Sequence, residues 1–258
     1  MRIKKIIIVL GFAMAISLLI PVYAHAMSGD AGDALRTEAS RGNTSALKQL
    51  RQAASIGDST AEFELGHMYD NGQGVLQDYV QAAKWYRKAA DQGDARAQLN
   101  LGVLYFTGSG VLQDYALAVQ WYRKAADQGN ARAQNYLGTL YDYGQVVPLD
   151  YALAAQWYRK AADQGDADAQ YSLGMLYDYD QGVPQNYVVA YALYNLSASK
   201  DISRINTNRD NLAFKMTEAD IEAAQSLTQQ MIAKGVTSAI NSYFMSHKKV
   251  KLQKRKHQ

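Results

Sequence analysis

Nine residues, WYRKAADQG, occupy positions 85–93, and the same nine letters return at 121–129 and at 157–165. The step between copies is 36 residues, and glycines recur with the same step, at Gly66, Gly102, Gly138 and Gly174. Internal repeats of this length are typical of solenoids, propellers or helical arrays. The pattern inside one repeat therefore decides the fold.

Residues 94–129 form one such repeat, and their pattern predicts two helices. Apolar side chains at i, i+4 and i+8 predict the first helix, after which Gly108 and Gly110 allow a turn. A second helix is predicted to begin after Asp114, a good N-cap, and to end at Gly129. The short links between successive helices make neighbours antiparallel. Each repeat is thus predicted to be a helical hairpin.

A two-helix hairpin cannot cover its own apolar face, so consecutive hairpins are expected to stack. The sequence therefore predicts an all-α fold, an α-solenoid superhelix of antiparallel helix hairpins. The tryptophans at equivalent positions are predicted to lie in its core, at Trp85, Trp121 and Trp157. The four repeated glycines lie inside predicted helices, where glycine costs about 1 kcal/mol against alanine. We therefore expect another helix to approach each glycine too closely for a methyl group.

The pattern A-x-A-Q-x-x-L-G-x-x-Y, then G-x-G-V, then D-x-x-x-A-x-x-W-Y-x-K-A-A-x-Q-G resembles the Sel1-like repeat, a 36-residue relative of the tetratricopeptide repeat. The resemblance covers four units from about Ala61 to Lys200, with a half unit before them at 46–57. Val146 and Asp180 depart from it, since they replace turn glycines. The resemblance implies a scaffold in signalling, envelope assembly or host interaction.

The first 26 residues are expected to be a secretory signal peptide. A basic start at 1–5 precedes an apolar run at 6–22, and Ala24-His25-Ala26 fits the small-x-small cleavage rule. An uncleaved anchor helix is the alternative, because the apolar run approaches the roughly 20 residues that span a bilayer. Either reading predicts export, to the periplasm or outside the cell.

The expected organisation follows from these boundaries. A signal peptide at 1–26 is followed by N-terminal capping helices or a half repeat at 27–57, and then by four repeats at 58–200. C-terminal capping helices are predicted at 201–235, where Thr217 and Asp220 form a capping-box pattern. A basic tail is predicted at 236–258.

The sequence contains no cysteine, which excludes disulfides, thiolate zinc sites and thiol nucleophiles. Past residue 26 it has three histidines and no hydrolase or phosphate-binding motif. We therefore predict no catalytic residue, no cofactor and no metal. The main hypothesis is a non-enzymatic scaffold for a protein or peptide. A cell-wall or β-lactam hydrolase, as ascribed to some cysteine-rich exported relatives, and a purely structural spacer are the alternatives.

The candidate partner-binding residues lie on the first helix of each repeat, at positions that differ among the repeats. By analogy with helical-hairpin superhelices, this helix lines the concave side. The residues predicted to form the groove surface are Glu64, His67, Arg96, Asn100, Val103, Arg132, Tyr136, Thr139, Asp168, Ser172 and Met175. The alternative is that these are tolerated solvent positions, and variation within one sequence does not separate the two.

Charge is distributed unevenly. The chain has a formal charge of +3, which falls to 0 when residues 1–26 are removed. Six cations occupy the last eleven residues, so the rest of the mature chain carries −6; they are Lys248, Lys249, Lys251, Lys254, Arg255 and Lys256. This tail is interpreted either as a flexible arm for an anionic surface, such as lipid head groups, acidic polysaccharide or an acidic protein, or as a solvated terminus without a partner. Export argues against nucleic acid as a partner.

Overall fold

The computed structural model describes residues 27–197 and 203–256, with side-chain surroundings given for 27–197 and 206–248. Within these ranges the chain forms thirteen α-helices and no strand. The predicted signal segment at 1–26 lies outside them. No helix of the described ranges has the length and apolar character needed to cross a bilayer. The predicted fold class, all-α and built of repeated helix pairs, is confirmed.

The chain divides into two compact units, Met1–Ala118 and Val119–Gln258. The helices of the first unit are α1 (Gly29–Ser40), α2 (Thr44–Ser55), α3 (Ser59–Asn71), α4 (Tyr79–Asp91) and α5 (Ala95–Thr107). The division falls inside α6 (Tyr115–Asp127). The helices that follow are α7 (Ala131–Tyr143), α8 (Tyr151–Asp163), α9 (Ala167–Asp178), α10 (Tyr187–Ser197), α11 (Ser203–Ala213), α12 (Glu218–Lys234) and α13 (Val236–Lys256).

Consecutive helices pack against each other because the links between them are short. In the first unit α4 contacts both α3 and α5, and in the second α8 contacts α7 and α9. Gly93 at φ 97° and Gly165 at φ 84° make the tight reversals from one repeat to the next. The next residue in each case, Asp94 or Asp166, caps the following helix through its carboxylate. Local turn chemistry thus sets the antiparallel arrangement.

Three of the repeated glycines, Gly66, Gly138 and Gly174, lie where a tyrosine ring of the following helix meets the backbone. A β-carbon on Gly66 would lie 2.6 Å from Tyr86, and one on Gly174 would lie 2.9 Å from Tyr194. Real β-carbons essentially never come so close to another heavy atom. The close approach is confirmed at Gly66, Gly138 and Gly174, where the approaching group is an aromatic ring. At Gly102 it stays a prediction.

The tryptophans differ in burial. Trp121 is 3% exposed and Trp157 is 4% exposed, so both lie in the core. Trp85, in contrast, is half-buried and packs at the edge of the first unit's core. The predicted core position is therefore confirmed for two tryptophans and only partly met by the third.

Two turns contain side chains in the left-handed region of φ. Val146 has φ 68° and Asp180 has φ 59°, at positions where other repeats carry glycine. Asp180 is adapted to this position because its Oδ1 accepts a hydrogen bond from the amide of Gln185 at 2.8 Å. A β-branched residue such as Val146 adopts this conformation only at a free-energy cost.

The C-terminal segment ends in α12 and α13. The predicted capping box between Thr217 and Asp220 is present at the start of α12. The predicted basic tail at 236–258, however, is neither a flexible arm nor a solvated appendage over its first half. It begins as α13, and Val236 and Ile240 are 2% and 0% exposed. These apolar residues pack into the second unit's core, which fixes the first turns of the helix.

Candidate interaction surface

The first-helix stripe is the set of side chains at positions 96, 100, 103 and 107 of α5 and their equivalents in α3, α7 and α9. These positions are spaced by three and four residues, so they share one helix face. All of the predicted groove residues lie at stripe positions.

In the first repeat, α1 covers the stripe. A β-carbon on Gly32 of α1 would lie 2.5 Å from Cγ2 of Thr60 and 3.2 Å from Cγ of Glu64, so the two helices touch. Glu64 is 0% exposed. The prediction that Glu64 lines an open groove is therefore wrong, because the N-terminal helix occupies that face. His67 is half-buried, and its Nδ1 is enclosed without a hydrogen-bond partner.

Buried charge holds this N-terminal contact together. Glu64 accepts a hydrogen bond from Nε of Arg36 at 2.6 Å and lies 3.5 Å from Nη1 of Arg96. Burial raises the pKa of Glu64, whereas the two guanidinium groups act to lower it. Burial lowers the pKa of His67, and the nearby Arg36 lowers it further. The two cations thus stabilise the ionised carboxylate that burial disfavours.

In the second repeat the stripe is partly open. The side chain of Arg96 is 38% exposed and lies over the ring of Phe63, with Cζ 4.0 Å from the ring centroid. Asn100 is half-buried. Val103 is half-buried as well. All three side chains are therefore only partly exposed to solvent.

In the second unit the first turns of the stripe are open to solvent. Arg132 of α7 and Asp168 of α9 are exposed. Tyr136 is 36% exposed, and its ring centroid lies 5.3 Å from that of Tyr122. Tyr122 is buried, so the Tyr136 ring packs against a core residue while part of it stays exposed.

The later positions of this stripe are held by the hairpin. The hydroxyl of Thr139 donates to the Asn135 carbonyl at 3.1 Å and lies 3.3 Å from the Tyr158 hydroxyl. Ser172 is half-buried, and Met175 packs against the core. Thr139 and Met175 therefore have structural contacts of their own.

Two exposed residues of the stripe were missed by the sequence prediction. Tyr143 ends α7 and is 65% exposed, and Tyr179 follows α9 and is 55% exposed. They stand one turn beyond Thr139 and Met175, at the phase of position 107. Following the stripe to the helix end would have found them. Helices α7 and α9 contact each other, so the two stripes lie on neighbouring helices of one unit.

Aspartates equivalent in three repeats accept hydrogen bonds from the tyrosines that face the glycines. Tyr86 donates to Asp70 at 3.1 Å, and Tyr194 donates to Asp178 at 3.4 Å. Burial raises the pKa of both carboxyl groups. Asp178 is 6% exposed, so its carboxylate lies inside the hairpin although it ends α9. These carboxylates join the two helices of a hairpin.

The basic C-terminal residues lie on α13, whose backbone stays helical to Lys256. Lys248 is exposed; the side chains of the other five cations lie outside the described part. Nearer the core, the rings of Phe244 and Tyr177 pack with centroids 6.4 Å apart. Among the described residues, no cluster of histidine and acidic side chains could hold a metal ion.

The repeated segments match a known family. Residues 59–94, 95–130, 131–166 and 167–202 each match the Sel1 repeat, and they make up more than half of the chain. The chain therefore belongs to the Sel1 repeat family. Sel1 repeats generally form protein-interaction scaffolds, and the family is typically non-enzymatic.

The chain is also similar, to different degrees, to solved structures. A Sel1 repeat protein from Oxalobacter formigenes is 34% identical, covering 71% of this chain and 75% of its own, with a TM-score of 0.64. The protein c5321, a protective antigen of uropathogenic Escherichia coli strains displaying an SLR fold, is 27% identical over 82% of this chain and 62% of its own, with a TM-score of 0.40. The immunity protein Pa5087 from Pseudomonas aeruginosa is 23% identical over 79% and 83%, with a TM-score of 0.46. No protein with a curated description matches the sequence.

Proposed function

We propose that this chain is an exported, non-enzymatic scaffold that holds a protein or peptide partner on the first-helix stripe of its second unit. The observation that carries the proposal is the exposure of three tyrosines on that stripe: Tyr136, Tyr143 and Tyr179 are 36%, 65% and 55% exposed. Tyrosine is enriched among residues that dominate protein–protein binding, because its ring buries a large area and its hydroxyl hydrogen-bonds.

Charge on the same stripe supports a polypeptide partner. Arg132 and Asp168 are exposed, on α7 and α9 respectively. A partner that presents an acidic and a basic side chain would pair with both, and its apolar side chains would cover the tyrosine rings. Opposite charges across an interface chiefly set its register and association rate. A polymer of a single charge sign would meet repulsion at one of these two residues.

Export rests on the sequence of residues 1–26 and belongs to this proposal. The basic end of α13 is proposed as a secondary contact with an anionic surface. The helical backbone supports this role because α13 starts in the core and continues to Lys256. Vesicle co-sedimentation tests it: binding to phosphatidylglycerol vesicles should fall steeply with salt and should be absent for phosphatidylcholine vesicles. Equal binding to both vesicles would contradict the secondary contact.

The main test uses photocrosslinking in the native cell, with a photoreactive residue at Tyr136 or Tyr143 of the full-length chain. Mass spectrometry of the adduct then identifies the partner. Binding of that partner should weaken at least tenfold when Tyr136, Tyr143 and Tyr179 are replaced together by alanine. The matched control replaces Tyr79 and Tyr115, which are 41% and 43% exposed at the starts of α4 and α6.

If the stripe variant and the control variant lose partner binding equally, or if neither loses it, the proposed surface is contradicted. A purely structural spacer predicts the second outcome. The hydrolase alternative predicts turnover of a chromogenic β-lactam or of peptidoglycan, abolished by a single substitution.

A further inference from the structure

The residue that follows the predicted cleavage motif is fixed to the body of the protein. The backbone nitrogen of Met27 donates a hydrogen bond to Oδ2 of Asp58 at 2.6 Å, across 31 positions of sequence. The other carboxylate oxygen of Asp58 accepts from the amide of Ala61 at 2.8 Å and so caps α3. One carboxylate therefore holds both the start of α3 and the residue that precedes α1.

The side chain of Met27 is also anchored. It is half-buried and packs against the first unit's apolar core, with Sδ 3.6 Å from the position of a β-carbon on Gly32. Ser28 then caps α1, since its Oγ accepts from the amide of Ala31 at 3.3 Å. The position of the Met27 nitrogen is thus set by packing on one side and by a helix cap on the other.

We propose that the peptide bond between Ala26 and Met27 is the processing site, and that Asp58 is the receptor for the α-ammonium group of Met27 in the mature chain. This inference rests on the proposed export. A signal-peptide endopeptidase would add one water across the bond, so that Ala26 leaves as a carboxylate and Met27 keeps the nitrogen as an ammonium. The nitrogen already placed against Asp58 then becomes a cation.

The change strengthens an existing contact. The existing hydrogen bond already has a carboxylate acceptor, and cleavage adds a charged donor, so that Coulomb attraction between two opposite charges is added to it. Other acidic residues lie on the same elements: Asp30 is in the first turn of α1, and Glu62, in the first turn of α3, interacts with Asp58. The positive ends of the α1 and α3 dipoles oppose the ammonium. The Asp58 carboxylate offsets this opposition at a distance of 2.6 Å.

The first experiment identifies the N-terminus of the protein recovered from the producing cell. Edman sequencing should begin at Met27 and read Met-Ser-Gly-Asp. Cleavage at another bond would overturn the inference while leaving export intact. A chain that keeps residues 1–26 would overturn the inference, because an uncleaved anchor helix is still exported. Recovery of that chain in the cytosolic fraction would overturn the proposed export as well.

The second experiment tests the receptor role directly. The chain from Met27 to Gln258 is released from a fusion by a site-specific protease, because an initiator methionine before Ser28 would be removed in the cell. Its thermal midpoint is compared with that of the same chain acetylated at the α-amino group. We expect the free amine to raise the midpoint by about 2–4 °C.

The same comparison is then made in Asp58→Asn, which keeps an oxygen for capping α3 but removes the charge. The midpoint difference between free and acetylated chains should disappear in this variant. The control is Asp150→Asn, which caps α8 through the amide of Leu153 at 2.9 Å and should leave the difference unchanged. No difference in the parent chain, or the same difference in Asp58→Asn, would overturn the receptor role.

Discussion

A β-carbon on Gly138 would lie 2.6 Å from both Cδ1 and Cε1 of Tyr158, so the tyrosine ring rests directly against the backbone of α7. Tyr158 is 1% exposed, and its hydroxyl donates to Oδ2 of Asp142 at 3.1 Å. One ring therefore joins the two helices of the third repeat twice, through van der Waals contact at the glycine and through a hydrogen bond at the aspartate.

Gly138→Ala is expected to lower the free energy of unfolding by about 1–3 kcal/mol, the usual effect of overpacking a core. Alanine's better helix propensity, about 1 kcal/mol, offsets part of this loss. Urea unfolding followed by circular dichroism measures the change. Gly29→Ala is the control, because a β-carbon there meets nothing within 4 Å. Equal stability of the two variants would show that the Tyr158 ring shifts freely.

Val146→Gly is expected to raise the free energy of unfolding by about 1 kcal/mol, because glycine adopts the φ of 68° without the strain of a β-branched side chain. Thermal unfolding measures the effect. The reverse change, Gly182→Val, tests the equivalent turn of the fourth repeat. There a β-carbon would lie 2.3 Å from the carbonyl carbon of Tyr151, so we expect Gly182→Val to lower the stability strongly. A loss from Val146→Gly would mean that packing of the valine outweighs its strain.

Glu64→Ala is expected to loosen α1, because it leaves Arg36 without its buried partner. The local loss should be about 1–3 kcal/mol. Hydrogen exchange followed by mass spectrometry should show faster exchange across Gly29–Ser40 and no change in α12. Glu38→Ala is the control, since Glu38 and Arg41 form a pair with side chains 51% and 70% exposed. Unchanged exchange in Glu64→Ala would show that apolar packing alone holds α1.

Asp142→Asn is expected to make stability less dependent on pH. Burial raises the pKa of Asp142 above its usual 3.8. At pH values between the unfolded and folded pKa of Asp142, the native state binds more protons than the unfolded state. The contribution of Asp142 to the free energy of unfolding therefore falls as pH rises through that interval. The amide has no charge to desolvate and keeps an acceptor for Tyr158. Urea titrations should show that the variant has a higher free energy of unfolding than the parent chain at about pH 7, and a smaller advantage at about pH 4. An advantage of the same size at both pH values would contradict a raised pKa of Asp142 in the folded state.

Trp157→Ala should lower the free energy of unfolding by about 3–5 kcal/mol, because the ring is nearly fully buried. Trp85→Ala should have a clearly smaller effect, since its ring is half-buried at the edge of the first unit's core. Chemical unfolding followed by circular dichroism compares the two. Equal losses would contradict the difference in burial between these equivalent positions.

The repeats could be predicted from the sequence because the same contacts recur with the same residue types. The glycine contacts, the helix caps and the strained turn at Val146 all follow from comparison of one repeat with another. The position of α1 could not be predicted, because Gly29–Ser40 shares no motif with the repeats. The burial of Glu64 under Arg36 depends on that position and was therefore missed.

The candidate surface was predicted in part. Arg132, Tyr136 and Asp168 are exposed on the stripe, whereas Thr139 and Met175 have contacts within their own unit. Periodicity identifies a helix face but does not show which of its residues a neighbouring helix covers. Whether the exposed residues bind a partner stays a prediction.

The contacts between successive hairpins of the second unit recur with the same atoms. Nε2 of Gln134 donates to the Ala126 carbonyl at 3.0 Å, and Nε2 of Gln170 donates to the Ala162 carbonyl at 3.2 Å. Excision of residues 131–166 would bring Gln170 to the place of Gln134, opposite an unchanged Ala126. The contact between the hairpins would keep its hydrogen bond although a whole repeat had been removed. Genes of this kind can therefore lengthen or shorten by unequal crossing-over between near-identical segments, without compensating substitutions at the new boundary.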